Sequence, residues 1–223
     1  MRKIFDAYQR VGRLAKFYDG MLSNDGLAAR LALKIFWGLD AAAYEKFLAQ
    51  AFAGLSNDFC GRLLEVPIGT GVLSLPFYRK LNAAEIFAVD LSDKMLDVAK
   101  ARAAQLNLRG VKFFQADVAH LPFSENFFDA VLSINGLHVF SDKVAAFAET
   151  KRVLKVGGTF CGTMYIKGLN RRTDLFVEKF CEPQGFFTPP YETLTTLQKK
   201  LRELYTCAEV THVESFAGFV CTK

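Results

Sequence analysis

Between residues 60 and 166, short apolar runs alternate with helix-patterned stretches, and this alternation restricts the fold more than any other feature of the chain. The runs Arg62–Val66, Glu85–Asp90, Val111–Ala116, Phe128–Ile134 and Thr159–Ile166 read as strands. Leu73–Leu81, Ser92–Leu106 and Lys143–Leu154 read as the helices between them, with Ser92 as an N-cap, Asp93 in the first turn and Gly157-Gly158 ending the last. Strands and helices at this spacing predict βαβ units, hence a doubly wound, mostly parallel sheet with helices on both faces. Residues 1–58 read as a helical cap, with an apolar face at Leu31, Ile35, Leu39, Tyr44, Phe47, Leu48 and Ala51 and a turn at Ser23–Gly26. Residues 59–223 make the main domain. Within it, 167–190 breaks the rhythm with Gly168, Pro183, Gly185, Pro189 and Pro190 and reads as an insertion or lid, followed by a helix over Glu192–Leu204. Residues 208–222 predict two antiparallel strands broken near Phe216-Ala217-Gly218.

The glycines of Leu63-Leu64-Glu65-Val66-Pro67-Ile68-Gly69-Thr70-Gly71 follow the first strand and precede a helix. At that place a missing Cβ lets backbone approach a ligand, and the next helix offers free N–H groups. Asp90 ends the second strand about 20 residues on, the spacing at which a carboxylate accepts from ribose hydroxyls. Gln115-Ala116-Asp117-Val118 ends the third, where a carboxylate can accept from an exocyclic amine beside an apolar contact. All three lie at carboxyl ends of successive strands, where open α/β sheets bind ligands.

The ordered set Glu65–Gly71, Val89–Leu96, Ala116–Val118 with Leu121-Pro122-Phe123, Phe128–Val131 and Leu154–Thr159 resembles the class I S-adenosylmethionine-dependent methyltransferases. It is most similar to their small-molecule branch (type 11), which includes the ubiquinone/menaquinone C-methyltransferase-like enzymes. The resemblance implies a Rossmann-like, seven-stranded sheet with an antiparallel last strand, and S-adenosyl-L-methionine as cofactor with S-adenosyl-L-homocysteine as product. Carried over by position, it implies that Glu65, Gly69 and Gly71 line the methionine moiety, with Thr70 between them in the cofactor-binding set. Asp90 then holds the ribose with Leu91 against the adenine, Asp117 holds the adenine amine beside Val118, and Asn135 faces the methionine end. Met95 joins the cofactor-binding set. Pro67 departs from the family's usual glycine, and proline fixes φ and removes a donor. Tyr18-Asp19-Gly20-Met21 resembles the Tyr-Asp-x-Met segment of quinone-type methyltransferases.

A sulfonium is already an activated methyl donor, so the protein has chiefly to align an acceptor in a dry site. His138, just after the fourth strand, is the candidate base or acceptor contact; the alternative is a structural histidine. Tyr18 and Tyr191 are further candidates, and Arg171-Arg172 suits an anionic acceptor. The acceptor is a small molecule, apolar or anionic. Nucleic acid is an unfavoured partner: the net charge is only +5, no Asn/Asp-Pro-Pro-Tyr/Phe motif follows the fourth strand and no Pro-Cys nucleophile occurs. A metal site is not expected, because His120, His138 and His212 lack ligand spacing. Five scattered cysteines without a CxxC pair point to a reducing, cytoplasmic setting, and no apolar run reaches the ~18 residues of a membrane span. The start Met1–Asp6 has no apolar stretch after it and does not read as a secretory signal. Two competing readings stand beside the methyltransferase. A nicotinamide-dependent oxidoreductase would want a third glycine where Ser74 stands and a Tyr-x-x-x-Lys pair. A non-catalytic protein would keep the fold for binding alone.

Overall fold

The computed structural model describes Asp19, Leu22, residues 26–81 and residues 83–223. Tyr18, with most of the Ser23–Gly26 turn, lies outside the described residues. Seven strands form one sheet: β1 (Gly61–Glu65), β2 (Ala84–Asp90), β3 (Val111–Gln115), β4 (Phe128–Ile134), β5 (Leu154–Tyr165), β6 (Cys207–Val213) and β7 (Phe216–Thr222). Their spatial order is β3-β2-β1-β4-β5-β7-β6. β7 runs antiparallel to both neighbours, and every other pairing is parallel. The order reverses between β1 and β4, which opens a crevice at their carboxyl ends.

The central strands are buried on both faces, as a covered parallel sheet requires. Leu63 and Leu64 are neighbours on β1, both with no exposed surface, and they enter different core clusters. One face packs on α5 (Lys143–Val153) and α7 (Leu194–Leu204) through Phe147, Leu197 and Leu201. The other packs on α3 (Ser74–Tyr78) and α4 (Asp93–Gln105) through Leu75, Tyr78, Leu96 and Ala99. Ser92 caps α4, its Oγ accepting from Met95 N–H at 3.3 Å.

Before the sheet come α1 (Leu27–Ala32), a π-helical turn (Leu33–Trp37) and α2 (Ala41–Ala51). The expected face of this segment is corrected in part. Leu31 and Ile35 are exposed, whereas Leu33, Trp37 and Leu39 are buried. Both sides of the stretch are apolar, and packing chose one: Trp37 sits edge-on to Phe176 and against Phe216 and Phe187. α2 lies on the sheet itself. Ala51 and Leu55 share a core with β1, and the Gln50 amide donates to Phe216 C=O at 3.1 Å.

Residues 167–190 contain α6 (Arg171–Phe176), a π turn (Val177–Cys181) and a helical turn (Glu182–Gln184), so the insertion is helical rather than loop. Asn170 caps α6 at Arg172 N–H. The last break in the chain falls at Glu214-Ser215, not at 216–218, because Val213 pairs with Phe216 and Glu214 takes the turn at φ 49. Gly218 stays in β7, where a Cβ would meet Gln50 of α2 at 2.8 Å. The helix before β5 ends at Val153 and the strand begins at once, with a register shift between Phe128 and Ala130 that absorbs Gly157-Gly158. Among the described residues no helix is long and apolar enough to cross a membrane, and no group of three His, Cys, Asp or Glu is placed to hold a metal.

Candidate active site

The carboxyl ends of β1, β2, β3 and β4 surround a two-lobed cleft. The first lobe, about 560 Å³, is lined by Val66, Pro67, Asp90, Leu91, Ala116, Asp117, Val118 and Val139–Asp142. The second, about 490 Å³, is lined by Leu22, Glu65, Pro67–Ser74, Asp90, Ile134 and Asn135. Asp90 and Pro67 border both lobes.

Asp90 is nearly buried, and its carboxylate ties two backbone segments together. Oδ2 accepts from Gly69 N–H at 2.8 Å and Oδ1 from Ser92 N–H at 2.9 Å. It therefore holds the glycine loop against the end of β2. Burial pushes this carboxyl up to about 6, against the opposing pull of those N–H donors. Gly69 and Gly71 both have positive φ, at 56 and 68. A Cβ on Gly69 would meet nothing within 4 Å, so the loop faces open space there. One on Gly71 would strike Leu75 of α3 at 2.4 Å.

Glu65 is buried at the end of β1 and accepts from Tyr78 O–H of α3 at 2.6 Å. Burial lifts its carboxyl to about 8, with Tyr78 opposing and the charge of Asp90 adding to the rise. Burial thus favours the protonated form of Glu65 at neutral pH.

Asp117 accepts from Ala119 N–H at 3.0 Å, capping the short turn Val118–His120, while its residue still borders the first lobe. Asn135 takes a left-handed φ of 55 and is held in it from β5. Its N–H donates to Thr163 C=O at 2.8 Å, and its Oδ1 accepts from Thr163 O–H at 3.1 Å. Next to it Gly136 lets the β1 and β4 loops close on each other, since a Cβ there would meet Pro67 Cδ at 2.2 Å.

Glu65, Gly69, Thr70, Gly71, Asp90, Leu91, Asp117, Val118 and Asn135 are thus brought to one cleft. Met95 is not: it has no exposed surface and lines neither lobe, because the first turn of α4 points it into the core. His138 is not either. It is buried, its Nδ1 accepts from Tyr165 N–H at 2.9 Å, and its ring lies 4.2 Å from that of Phe187. Burial drives its imidazole down to about 3, so it stays neutral and binds protons too weakly to act as a base near neutral pH. Tyr191 packs edge-on against Tyr165 rather than on the cleft. The lining residues Leu22, Pro67 and Val139–Asp142 were not among the sequence candidates. Their only signal was position, just after β1 and β4 or far upstream.

Residues 63–158 match the methyltransferase domain family. Over that stretch the chain resembles the class I S-adenosylmethionine-dependent methyltransferases. It is 37% identical over 115 residues to a demethylmenaquinone methyltransferase of Thermobifida fusca, covering 51% of this chain and 48% of that protein. It is 38% identical over 99 residues to a ubiquinone/menaquinone biosynthesis C-methyltransferase of Azotobacter vinelandii, covering 44% and 39%. The matches therefore span less than half the length of these relatives. A phosphoethanolamine N-methyltransferase of Haemonchus contortus, solved with S-adenosylhomocysteine, superposes with a TM-score of 0.66 at 17% identity over 88% of this chain and 57% of that one; it shares the fold. The cofactor of such a domain is S-adenosylmethionine, and nothing in these likenesses favours the nicotinamide reading.

The placement of His138 sets an expected result. His138→Ala removes a buried ring and the acceptor of Tyr165 N–H, a loss of about 2–4 kcal/mol in stability by urea melt. Below the transition, S-adenosylhomocysteine affinity by calorimetry stays within about twofold of wild type, far less than the tenfold that 1.4 kcal/mol represents. A larger loss would mean that the ring shapes the cleft after all.

Proposed function

We propose that this protein transfers a methyl group from S-adenosylmethionine to a small, largely apolar acceptor of the quinone type. The observation that carries it is the convergence of Glu65, the Gly69–Gly71 loop, Asp90 and Asp117 on one cleft, together with the sequence likeness to quinone C-methyltransferases. The residues fit the cofactor. The open face of Gly69 gives a ligand backbone contact without a Cβ in the way. Three carboxyl groups of graded burial border the cleft and suit a ligand with two cationic centres, two hydroxyls and an amine.

When bound, S-adenosylmethionine supplies a methyl on a sulfonium centre. Asp90 would accept from the ribose hydroxyls and Asp117 from the adenine amine, with Leu91, Val118 and Val139 beside the ring. Glu65 would give its proton to solvent and pair with the ammonium at the methionine end. Leu22, Ile68, Val72, Leu73 and Ile134 leave the second lobe mostly apolar, which excludes water from the transfer and suits an aromatic acceptor. Asn135, fixed by Thr163, stands at that end as a donor for an acceptor oxygen. His138 is buried and neutral, so the ring proton that a methylated carbon would lose passes to solvent rather than to that histidine. All five cysteines are free, three of them buried, which supports a reducing compartment.

The raised Glu65 carboxyl gives a direct readout. At pH 6.5 the free protein holds this proton and the ligand's amine is charged, so binding should release close to one proton. Calorimetry in two buffers of different ionisation enthalpy measures it, and Glu65→Gln should abolish it. Affinity should rise with pH from about 6 towards 8, as the proton becomes easier to lose. Equal heats after correction in wild type and Glu65→Gln would remove Glu65 from the ammonium site.

The acceptor is tested with labelled S-adenosylmethionine and short-chain reduced quinones lacking one ring methyl. A product heavier by one methyl supports the reading. Full cofactor binding with no transfer to any such ring overturns the acceptor class, and failure to bind S-adenosylhomocysteine overturns the activity itself.

A further inference from the structure

Glu65 ends β1 between two apolar strand neighbours, Ala88 of β2 and Leu132 of β4, which offer its carboxyl no polar side chain. Its partner comes from α3 instead. Tyr78 closes that short helix, and its hydroxyl donates to Glu65 Oε2 at 2.6 Å. Both residues are buried, each with 2% of its surface exposed. Gly71 lets α3 sit this close to the loop, since a Cβ there would strike Leu75 of the same helix at 2.4 Å.

Glu65 borders the second lobe of the cleft, whereas Tyr78 borders neither lobe. A ligand therefore meets Glu65 directly and Tyr78 through it. Around the pair, the negative charge of Asp90 on β2 disfavours a second charge on Glu65. Cys161 of β5, which faces Tyr78, is a buried thiol pushed up to about 12 and stays neutral. Ser74, one turn before Tyr78 on α3, stands beside both side chains and borders the same lobe. Burial and the neighbouring carboxyl raise the Tyr78 phenol, so it keeps its proton and remains a donor. Such a donor does most for a carboxylate, because hydrogen bonds to a charged acceptor are roughly twice as strong as neutral ones.

We propose that Tyr78 is a positioning residue for cofactor capture, fixing the Glu65 carboxyl at the rim of the second lobe and stabilising the carboxylate that a cationic ligand end requires. The proposal deepens the functional reading above and rests on it, since it needs the ammonium of S-adenosylmethionine to lie at Glu65. Capture is then an exchange. The Glu65 O–H bond breaks, its proton leaves to solvent, and the carboxylate keeps the Tyr78 hydrogen bond while it gains the ammonium.

The test sets S-adenosylhomocysteine against 5′-methylthioadenosine, which keeps the nucleoside and the sulfur but carries no ammonium, by titration calorimetry on the whole chain. Tyr78→Phe should raise the Glu65 midpoint by about one pH unit, read by carbon-13 NMR of labelled glutamate. At pH 6.5, where Glu65 must ionise on binding, S-adenosylhomocysteine should bind about tenfold more weakly, and methylthioadenosine within about twofold of wild type. With the wild-type carboxyl at about 8, the loss should shrink to about threefold at pH 8.5, where less of the ionisation remains to be driven by the ligand. Beside Glu65→Gln, Tyr78→Phe should change neither affinity. Equal losses for the two ligands would mean that Tyr78 serves the fold alone and would overturn the proposal. A loss independent of pH, or one that persists beside Glu65→Gln, would do the same. Should Tyr78→Phe fail to fold, replacing the Tyr78 ring by 3-fluorotyrosine decides. Its more acidic hydroxyl is a stronger donor of nearly the same size, so S-adenosylhomocysteine must bind more tightly at pH 6.5 and methylthioadenosine must not; an unchanged protein sinks the proposal. Proton release sorts the failures. If wild type releases a proton on binding, Glu65→Gln abolishes the release and Tyr78→Phe binds like wild type, the role of Tyr78 falls alone. If wild type binds S-adenosylhomocysteine without releasing a proton, the placing of the ammonium at Glu65 falls, and this proposal with it.

Discussion

Asp90→Ala is expected to weaken S-adenosylhomocysteine binding by at least about a hundredfold, close to 3 kcal/mol. Two losses combine. The ribose hydroxyls lose their acceptor, and the N–H groups of Gly69 and Ser92 lose theirs at 2.8 and 2.9 Å. Each buried donor left unpaired costs about 1–3 kcal/mol. Part of that cost falls on the free protein as well, so the variant should also melt lower. The rest appears on binding, because a glycine loop no longer tied to β2 must be ordered by the ligand itself. Asp90→Asn separates the contributions. An amide keeps one accepting oxygen and turns a donor towards the other N–H, so its affinity should lie between alanine and wild type. Titration calorimetry beside thermal melts reads both quantities. An Asp90→Ala protein with wild-type affinity would show that this carboxylate serves the loop alone and never meets the sugar.

Gly162→Ala should be strongly destabilising, its Cβ making the shortest contact among the glycines compared, and cost more than about 3 kcal/mol or prevent recovery of soluble protein. Gly162 sits on β5 directly beside Ser133 of β4, at φ 150. A Cβ there would lie 1.9 Å from the Ser133 carbonyl oxygen and 2.6 Å from its carbon. Those are backbone atoms of the paired strand, so no rotamer change relieves the clash. The strands must separate at the point that sets Asn135, two residues on. Gly69→Ala is the control, since its added methyl meets no atom within 4 Å and bears only the penalty of a positive φ. It should cost about 1 kcal/mol in stability and show its larger effect on ligand affinity. Urea denaturation of the two variants checks this, and comparable stabilities would refute the β4–β5 register.

Local chemistry made much of the site readable in advance. Asp90 and Asp117 can be placed at the cleft in advance because each follows an apolar run at a strand's carboxyl end, although both also accept from nearby backbone N–H groups. The glycines can be placed there too, because positive φ, here 56 and 68, is cheapest for glycine. Two positions were settled by packing that the sequence does not contain, His138 in favour of its structural alternative. His138 stands directly after β4, where a base belongs, yet the Phe187 ring and the Tyr165 N–H draw it inward. Leu31 and Ile35 have faultless helical spacing, yet Trp37 and Leu33, on the other side, found the aromatic partners.

The sequence by itself determined the alternating strands and helices, the cap at Ser92, the glycine turn and the acids that follow it, because each depends on residues within a few positions of one another. The tertiary structure alone decided that Glu65 meets Tyr78, that Thr163 holds Asn135, and that Gly162 and Gly136 must lack a side chain. Those pairings join segments brought together only when the sheet closes, and burial in that closed sheet is what moves the Glu65 and His138 protons so far from their usual pH.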